Sequence, residues 1–357
     1  MKKIVYLFPT NRQKLINEVK NGTAPDNNLY GFNHLQKHYQ VEEAEISPKF
    51  ERILNILFLP FVWIFNSRYT KLNLGRVILA LPQFWQADVA ITCVDSINKA
   101  AAFFRKLNLF SGQLICMAGN VMDGTEIFPR SHQWLWLGAD KIITHAQVDQ
   151  DKLIGLGLKN GVCIPVGSDE DFYQKRANSE LRIQNSELVV SVGADRDRDY
   201  RTLFLAAKHL PQLKFVVLCG QRNVIGLKIP KNVEVRINIS PKETREILSK
   251  AGMVILSLRE TYRASGQLSM LDAMLMEKPV IVSKVKGIVE SYGLENKKQA
   301  ILVAVGDVED LVQAIGKLRK AGNIKHALGN AGRKLALEYT TEKYGEKLSR
   351  MVETTVN

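Results

Sequence analysis

The sequence predicts an α/β fold built on parallel sheets. Short, apolar, β-branched runs alternate with helical runs along most of the chain, the pattern of βαβ units. Several of these runs end in glycine or a small polar residue, and ligands of open α/β sheets bind at the carboxyl ends of strands. At 357 residues the chain is too long for a typical single core, so two domains are expected.

In the first half the strand runs are IVYLF (4–8), DVAITCV (88–94), QLICMAG (113–119), KIITHA (141–146) and GVCIPVG (161–167). In the second half they are ELVVSVG (187–193), FVVLCG (215–220), VEVRI (233–237), MVILSL (253–258), PVIVS (279–283) and AILVAV (300–305). Helical runs at 201–210, 241–251, 308–320 and 324–338 lie among them. The polar stretch PVGSDEDFYQKRANSELRIQNS (165–186) reads as the link between domains. The expected division is a first domain over 1–168, a second over 180–338, and a last helix within 339–357 that packs back on the first.

One segment breaks the rhythm. ILNILFLPFVWIF (53–65) has only Asn55 as a polar residue, with Pro60 inside it and Arg68, Lys71 and Arg76 after it. It falls short of the roughly 20 apolar residues that a spanning helix needs. Two readings stand: a buried helical hairpin, or an apolar element that dips into a membrane surface while the following cations meet headgroups. The second makes the protein a cytoplasmic one, peripheral on the inner face of the membrane.

Composition is that of a folded protein, 46% hydrophobic and 24% charged. Cys93, Cys116, Cys163 and Cys219 are far apart and form no CxxC pair, which argues against a zinc site or a disulfide framework and for reduced thiols. MKKIVYLFPT has too short an apolar run for a signal-peptide core and reads as a first strand. The net charge of +13 is concentrated in residues 181–357, with 29 Lys+Arg against 19 Asp+Glu. That favours anionic partners. Without zinc-finger spacing, an RNP-like aromatic pattern or a dense basic tract, nucleic acid is not the expected one.

Two stretches have phosphate-binding character. In ELVVSVGADRDRDYRTLFLAA (187–207) a strand ends at Gly193, and a short loop carries Arg196 and Arg198 to a helix start near Asp199. Glycine admits close approach to the backbone, and two arginines beside a helix N-terminus suit a diphosphate. The bland alternative is a solvated loop in which Asp195, Asp197 and Asp199 pair the arginines. Gly220, closing FVVLCG, is a candidate on the same ground of strand-end position.

In YRASGQLSMLDAMLMEKPVIVS (262–283), Ser265 is expected to cap a helix from about Gly266 to Met276, leaving nearby amides free for an anion. Asp272 lies nearly two turns in, at a distance suited to ribose hydroxyls. Its alternative partner is a core Arg or Lys. An unpaired buried carboxylate is costly, so one partner is required.

Together with ADKIITHAQVDQDKL (139–153), IPVGSDEDFY (164–173), GIVESY (287–292) and VAVGDVEDLVQAI (303–315), these stretches resemble the retaining glycosyltransferases of family 4. The resemblance covers most of 139–340. It implies the GT-B fold, two Rossmann-like parallel-sheet domains facing across a cleft. It also implies a hexosyl- or glycosyltransferase that needs no cofactor or metal and takes a nucleotide-diphosphate sugar as donor. The acceptor would be a saccharide or lipid-linked saccharide, as in polysaccharide biosynthesis.

Residue by residue, the family's cationic pair falls on Arg196 and Arg198, and its strand-closing glycine on Gly193. The phosphate loop falls on Ser265, Gly266 and Gln267. The paired acids fall on Ala264 and Asp272, so the ribose acid survives and the sugar acid is replaced by a methyl group. Glu260, one turn upstream, is the candidate substitute.

DNNLYGFNHLQKH (26–38) has the place of the family's glycine loop, with Gly31 alone where two glycines are common. The family's histidine has no counterpart. CMAGNVMDG (116–124) offers Asn120 and Asp123 in its place, while His34, His38, His132 and His145 read as structural or exposed. A DRDRD run alternating acids with arginines would repel a metal cation. Two rival readings remain: an epimerase of the same fold, and a non-catalytic nucleotide-sugar-binding subunit.

Overall fold

The computed structural model describes residues 1–60, 72–119, 121, 129–174, 187–261 and 263–355. The chain divides into two compact units. Met1–Asn17, Leu29–Pro165 and Tyr344–Asn357 form the first, and Glu18–Asn28 with Val166–Lys343 the second.

The first unit carries a six-stranded sheet of β1 (Lys3–Leu7), β2 (Gln40–Glu43), β3 (Val89–Cys93), β4 (Gln113–Ala118), β5 (Lys141–Thr144) and β6 (Gly161–Cys163). Their spatial order is β2-β1-β3-β4-β5-β6, and every pair is parallel. All five residues of β3 are buried, as expected of a parallel strand covered on both faces. Helices such as Leu74–Phe84 and Asp95–Lys106 provide cover, placing Phe84, Ile97 and Phe104 in one core with Leu7 and Leu114.

The second unit repeats the architecture with β7 (Val189–Val192), β8 (Phe215–Cys219), β9 (Val233–Ile237), β10 (Met253–Leu256), β11 (Val280–Ser283) and β12 (Ile301–Val303). The order is β12-β11-β10-β7-β8-β9, again with every pair parallel. Successive side chains of a strand face opposite ways. Accordingly Val189 and Val190 belong to two different apolar clusters, one on each face of the sheet. Helix boundaries follow local chemistry: Ser240 and Glu243 form a reciprocal capping box with Pro241 in the first turn, fixing the start of the Pro241–Lys250 helix.

All eleven expected strands are present, most trimmed by a residue or more. β2 is the unexpected one. Its sequence, QVEE, buries only Val41, and it is an edge strand ordered by main-chain pairing with β1 rather than by an apolar pattern. The segment expected at 53–65 is described only to residue 60. Residues 53–57 are the end of the Pro48–Leu57 helix, none of whose residues is buried, and 58–60 are exposed. The buried-hairpin reading fails for that helix, while Phe61 and Trp63 lie outside the described residues. Among the described residues no helix is long and apolar enough to cross a membrane. Cys93, Cys116, Cys163 and Cys219 are unpaired, and burial pushes the thiols of Cys116 and Cys163 up to about 12 and about 11.

Candidate phosphate-binding site in the second unit

β7 is the first strand of its sheet. The chain moves from it to β8 and β9 on one side, then crosses to β10 on the other. The loops after β7 and β10 therefore meet at a topological switch point, where open α/β sheets form their ligand crevice. The two loops are tied together here. Asp199 N donates to Ser257 O (2.9 Å), Arg259 N donates to Asp197 O (2.8 Å), and Arg198 bridges to Leu258 in antiparallel fashion. The loop after β8 joins them, with Asn223 Nδ2 donating to Asp195 O (2.9 Å) and Arg222 Nη2 to Ala194 O (3.0 Å). Gly220 N–H is held by Asn223 Oδ1 at 3.1 Å.

Gly193 follows β7 with φ 150°, in a region L side chains rarely adopt. A Cβ on it would lie 2.1 Å from Arg198 Nε, so the guanidinium stacks directly on the glycine backbone. Arg198 is 4% exposed. Its Nε donates to Asp195 Oδ2 (2.7 Å) and its Nη2 to Ser269 Oγ (3.1 Å). Its Nη1 is buried and has no hydrogen-bond partner among the described residues, and it lies 3.2 Å from the place a Gly266 Cβ would take. A buried, unsatisfied cationic donor is rare and points to something that binds there.

Asp195 links this arginine to the next loop, because Ser265 Oγ donates to its Oδ1 (2.7 Å). Burial alone would push the Asp195 carboxyl up. The Arg198 charge, together with hydrogen bonds from Ser265, Arg198 and Asp197 N–H, outweighs burial and holds it below the ordinary value.

The helix after this loop runs Gln267–Leu275, and its N-cap is Gly266 with φ 81°, not Ser265. Ser265 was expected to cap; its hydroxyl is turned to Asp195 instead, and no side chain caps the helix. The amides of Gln267, Leu268 and Ser269 therefore lack intrahelical acceptors and face the positive end of the dipole. Gln267 itself is positioned by Tyr292 OH donating to its Oε1 (2.9 Å).

The alternative of a core Arg or Lys partner for Asp272 fails among the described residues. Asp272 is 8% exposed, and no cation pairs it among the described residues. Its Oδ1 accepts from Ser168 Oγ (2.5 Å) and Asn27 Nδ2 (3.4 Å), and its Oδ2 from Tyr173 OH (2.9 Å). Burial pushes its carboxyl up to about 7 against the pull of those three hydrogen bonds. A carboxylate has about four acceptor positions, so three donors leave one open.

The Arg196 side chain is 61% exposed and lies 3.8 Å from Asp197 Oδ1. The charged-loop alternative thus describes Arg196 in full, whereas for Arg198 its pairing to Asp195 holds and its solvation does not. Ala264 is buried and Glu260 exposed. Gly31 belongs to the first unit, where with φ 80° it lets Leu348 approach to 2.9 Å of its missing Cβ.

His145 is buried with Nδ1 against Ile164 O (3.1 Å), and burial lowers its pKa, the signature of a structural histidine. Asn120, Asp123 and the His132 side chain lie outside the described residues. Ser269, Ser168, Tyr173 and Asn27 were not singled out from sequence, whereas Asp195 was named there as a partner for the arginines and does pair Arg198.

Residues 188–320 match the family described as Glycosyl transferases group 1. No curated protein matches the chain. Among solved structures, the fold is shared with sucrose-phosphate synthase of Thermosynechococcus elongatus, with 14% identity, TM-score 0.71 and 99% of each chain covered. It is shared equally with a glycosyltransferase of Rickettsia africae ESF-5, at 14% identity, TM-score 0.69, and 100% and 99% coverage. A third is Anabaena HepE in complex with UDP-glucose, at 14% identity, TM-score 0.67, covering 99% of this chain and 100% of that one.

Proposed function

We propose that the protein, whose residues 188–320 match the family described as Glycosyl transferases group 1, transfers a sugar from a nucleotide-diphosphate donor to a saccharide or lipid-linked saccharide acceptor. The observation that carries this reading is the pairing of Arg198 Nη1 with the uncapped start of the Gln267–Leu275 helix at the switch point of the second sheet. A donor diphosphate has the charge and the acceptor oxygens both lack. The fold shared with a protein that binds UDP-glucose supports the same donor class.

In this reading the leaving group is a nucleoside diphosphate, and catalysis requires stabilising negative charge that develops on its β-phosphate. Arg198 is preorganised for that by Asp195, Ser269 and Gly193, so little reorganisation accompanies the reaction. Exposed Arg196 adds charge at the entrance, and the amides at 267–269 supply neutral donors. Positive charge from the protein lets the transfer proceed without a metal, and the family resemblance supports retention at the anomeric carbon. Asp272 contacts a ribose hydroxyl through its open acceptor position. The first unit is the acceptor-binding half.

The helix Pro48–Leu57 and the residues after it support membrane contact, since Phe50, Ile56, Leu57 and Leu59 are 57–67% exposed beside exposed Lys49 and Arg52. A second reading, a nucleotide-sugar-binding subunit without catalysis, is favoured by the methyl group of Ala264 where the family has an acid.

Nucleotide sugars should raise the melting temperature of the protein, since a ligand of the native state stabilises it. Arg198→Ala should weaken nucleoside-diphosphate binding at least about tenfold by calorimetry, the size expected of a hydrogen bond between charged groups. Unchanged affinity removes the site assignment. Nucleoside-diphosphate release on acceptor addition, undiminished by a chelator, supports transfer; tight donor binding without release across an acceptor panel supports the binding subunit.

A further inference from the structure

We propose that the second unit has a second ligand site, at the outer edge of its sheet, that takes an anionic amphiphile: an alkyl body ending in a carboxylate or phosphate ester. The site is a cavity of about 910 Å³ between β12 and the helices Val308–Lys320 and Gly322–Ala336. That lies within the range of about 300–1,000 Å³ usual for small-molecule pockets. β12 is an edge strand, and β11 stands between it and β10, so the cavity is separate from the phosphate site.

Its lining divides into two parts. Ile301, Leu302, Ile324 and Ala327 supply the accessible alkyl surface, and this patch has no aromatic ring on which a base or sugar would stack. At the rim stand Lys297 and Lys317, both exposed, and among the described residues neither makes an ion pair. The acid in the lining, Asp310, has Oδ2 turned to Ala304 N at 2.8 Å, and the two lysines outweigh its single negative charge. Lys297 is held at the rim by a left-handed backbone, φ 64°, closed by its N–H to Ala300 O (2.8 Å). Two available ammonium groups over an alkyl surface complement a molecule with one anionic end and an apolar remainder.

An edge strand is also a place where a peptide can add as a further strand. Here that edge is closed. Leu302 N–H donates to Asn296 Oδ1 (2.9 Å) and Ala304 N–H to Asp310 Oδ2, so those main-chain donors are not available to an incoming strand. A compact amphiphile needs no such donors.

The test is calorimetric titration of the full chain, below micellar concentration, with octyl phosphate, octanoate, octyl glucoside and inorganic phosphate. Octyl phosphate or octanoate is expected to bind saturably, one per chain. Lys297→Ala combined with Lys317→Ala should weaken that binding about tenfold or more, as for lost hydrogen bonds to a charged group. Ala327→Trp, an exposed helix position on the cavity wall, should abolish it while circular dichroism and melting temperature stay those of the parent. Preference for the phosphate ester marks a lipid phosphate as the source, and preference for octanoate a free fatty acid; both support the site. Equal affinity for octyl glucoside, equal affinity for inorganic phosphate, undiminished binding in either variant, or no saturable binding overturns it.

Discussion

Gly193 and Arg198 work as a single unit, because the arginine occupies the space a side chain at 193 would fill. Gly193→Ala therefore faces both a disfavoured φ and a Cβ only 2.1 Å from Nε. The strain is worth about 1–3 kcal/mol, and relieving it requires Arg198 to leave its seat. The expected outcome is a melting temperature lowered by several degrees together with weakened nucleoside-diphosphate binding. Normal binding in a destabilised variant would show that Arg198 does not contact the diphosphate.

Asp272 makes a separate prediction about pH. Its carboxyl is raised to about 7 in the folded chain and returns to about 3.9 on unfolding. Between those values the unfolded chain has released its proton while the folded chain retains it. Stability is therefore greatest below about pH 4, falls as pH rises to about 7, and is flat beyond, by a total on the order of 4 kcal/mol at most. Asp272→Asn cannot titrate. Its melting temperature should gain on that of the parent between pH 4.5 and 7.5, and parallel profiles would exclude this origin.

At the scale of elements, two helices stand out as exceptions of different kinds. The Pro241–Lys250 helix has a complete capping box, whereas Gln267–Leu275 begins at a left-handed glycine without any side-chain cap. A glycine N-cap loses only roughly a few tenths of a kcal/mol relative to a capping side chain. Here it leaves amides available to a ligand.

The Pro48–Leu57 helix is the other exception, with apolar residues outward and cations beside them. Phe50→Glu plus Ile56→Glu should abolish salt-sensitive co-sedimentation with anionic liposomes and leave nucleotide binding intact. Absence of co-sedimentation by the parent protein would end the membrane reading. Strands were legible wherever burial on both faces made them continuously apolar, as in β3 and β10. β2 was not, since an edge strand with one buried residue has no pattern to read.

At the scale of the molecule, two parallel sheets lacking only the edge strand β2, the likeness to group 1 glycosyltransferases, and the glycine, arginine and phosphate-loop candidates all follow from local order along the chain. Strand runs, their glycine ends and the spacing of Arg198, Gly266 and Asp272 are short-range properties, so the sequence by itself determined them. Tertiary structure decided which of two arginines three residues or fewer from Asp195 is buried against it, and that Ser265 turns to that acid rather than to its own helix.

It also decided the surroundings of Asp272, whose partners come from positions 27, 168 and 173. Hydrogen bonds spanning about a hundred residues or more leave no periodic trace in a sequence. Which donors reach a buried carboxylate depends on how the sheet and its connections bring distant segments together.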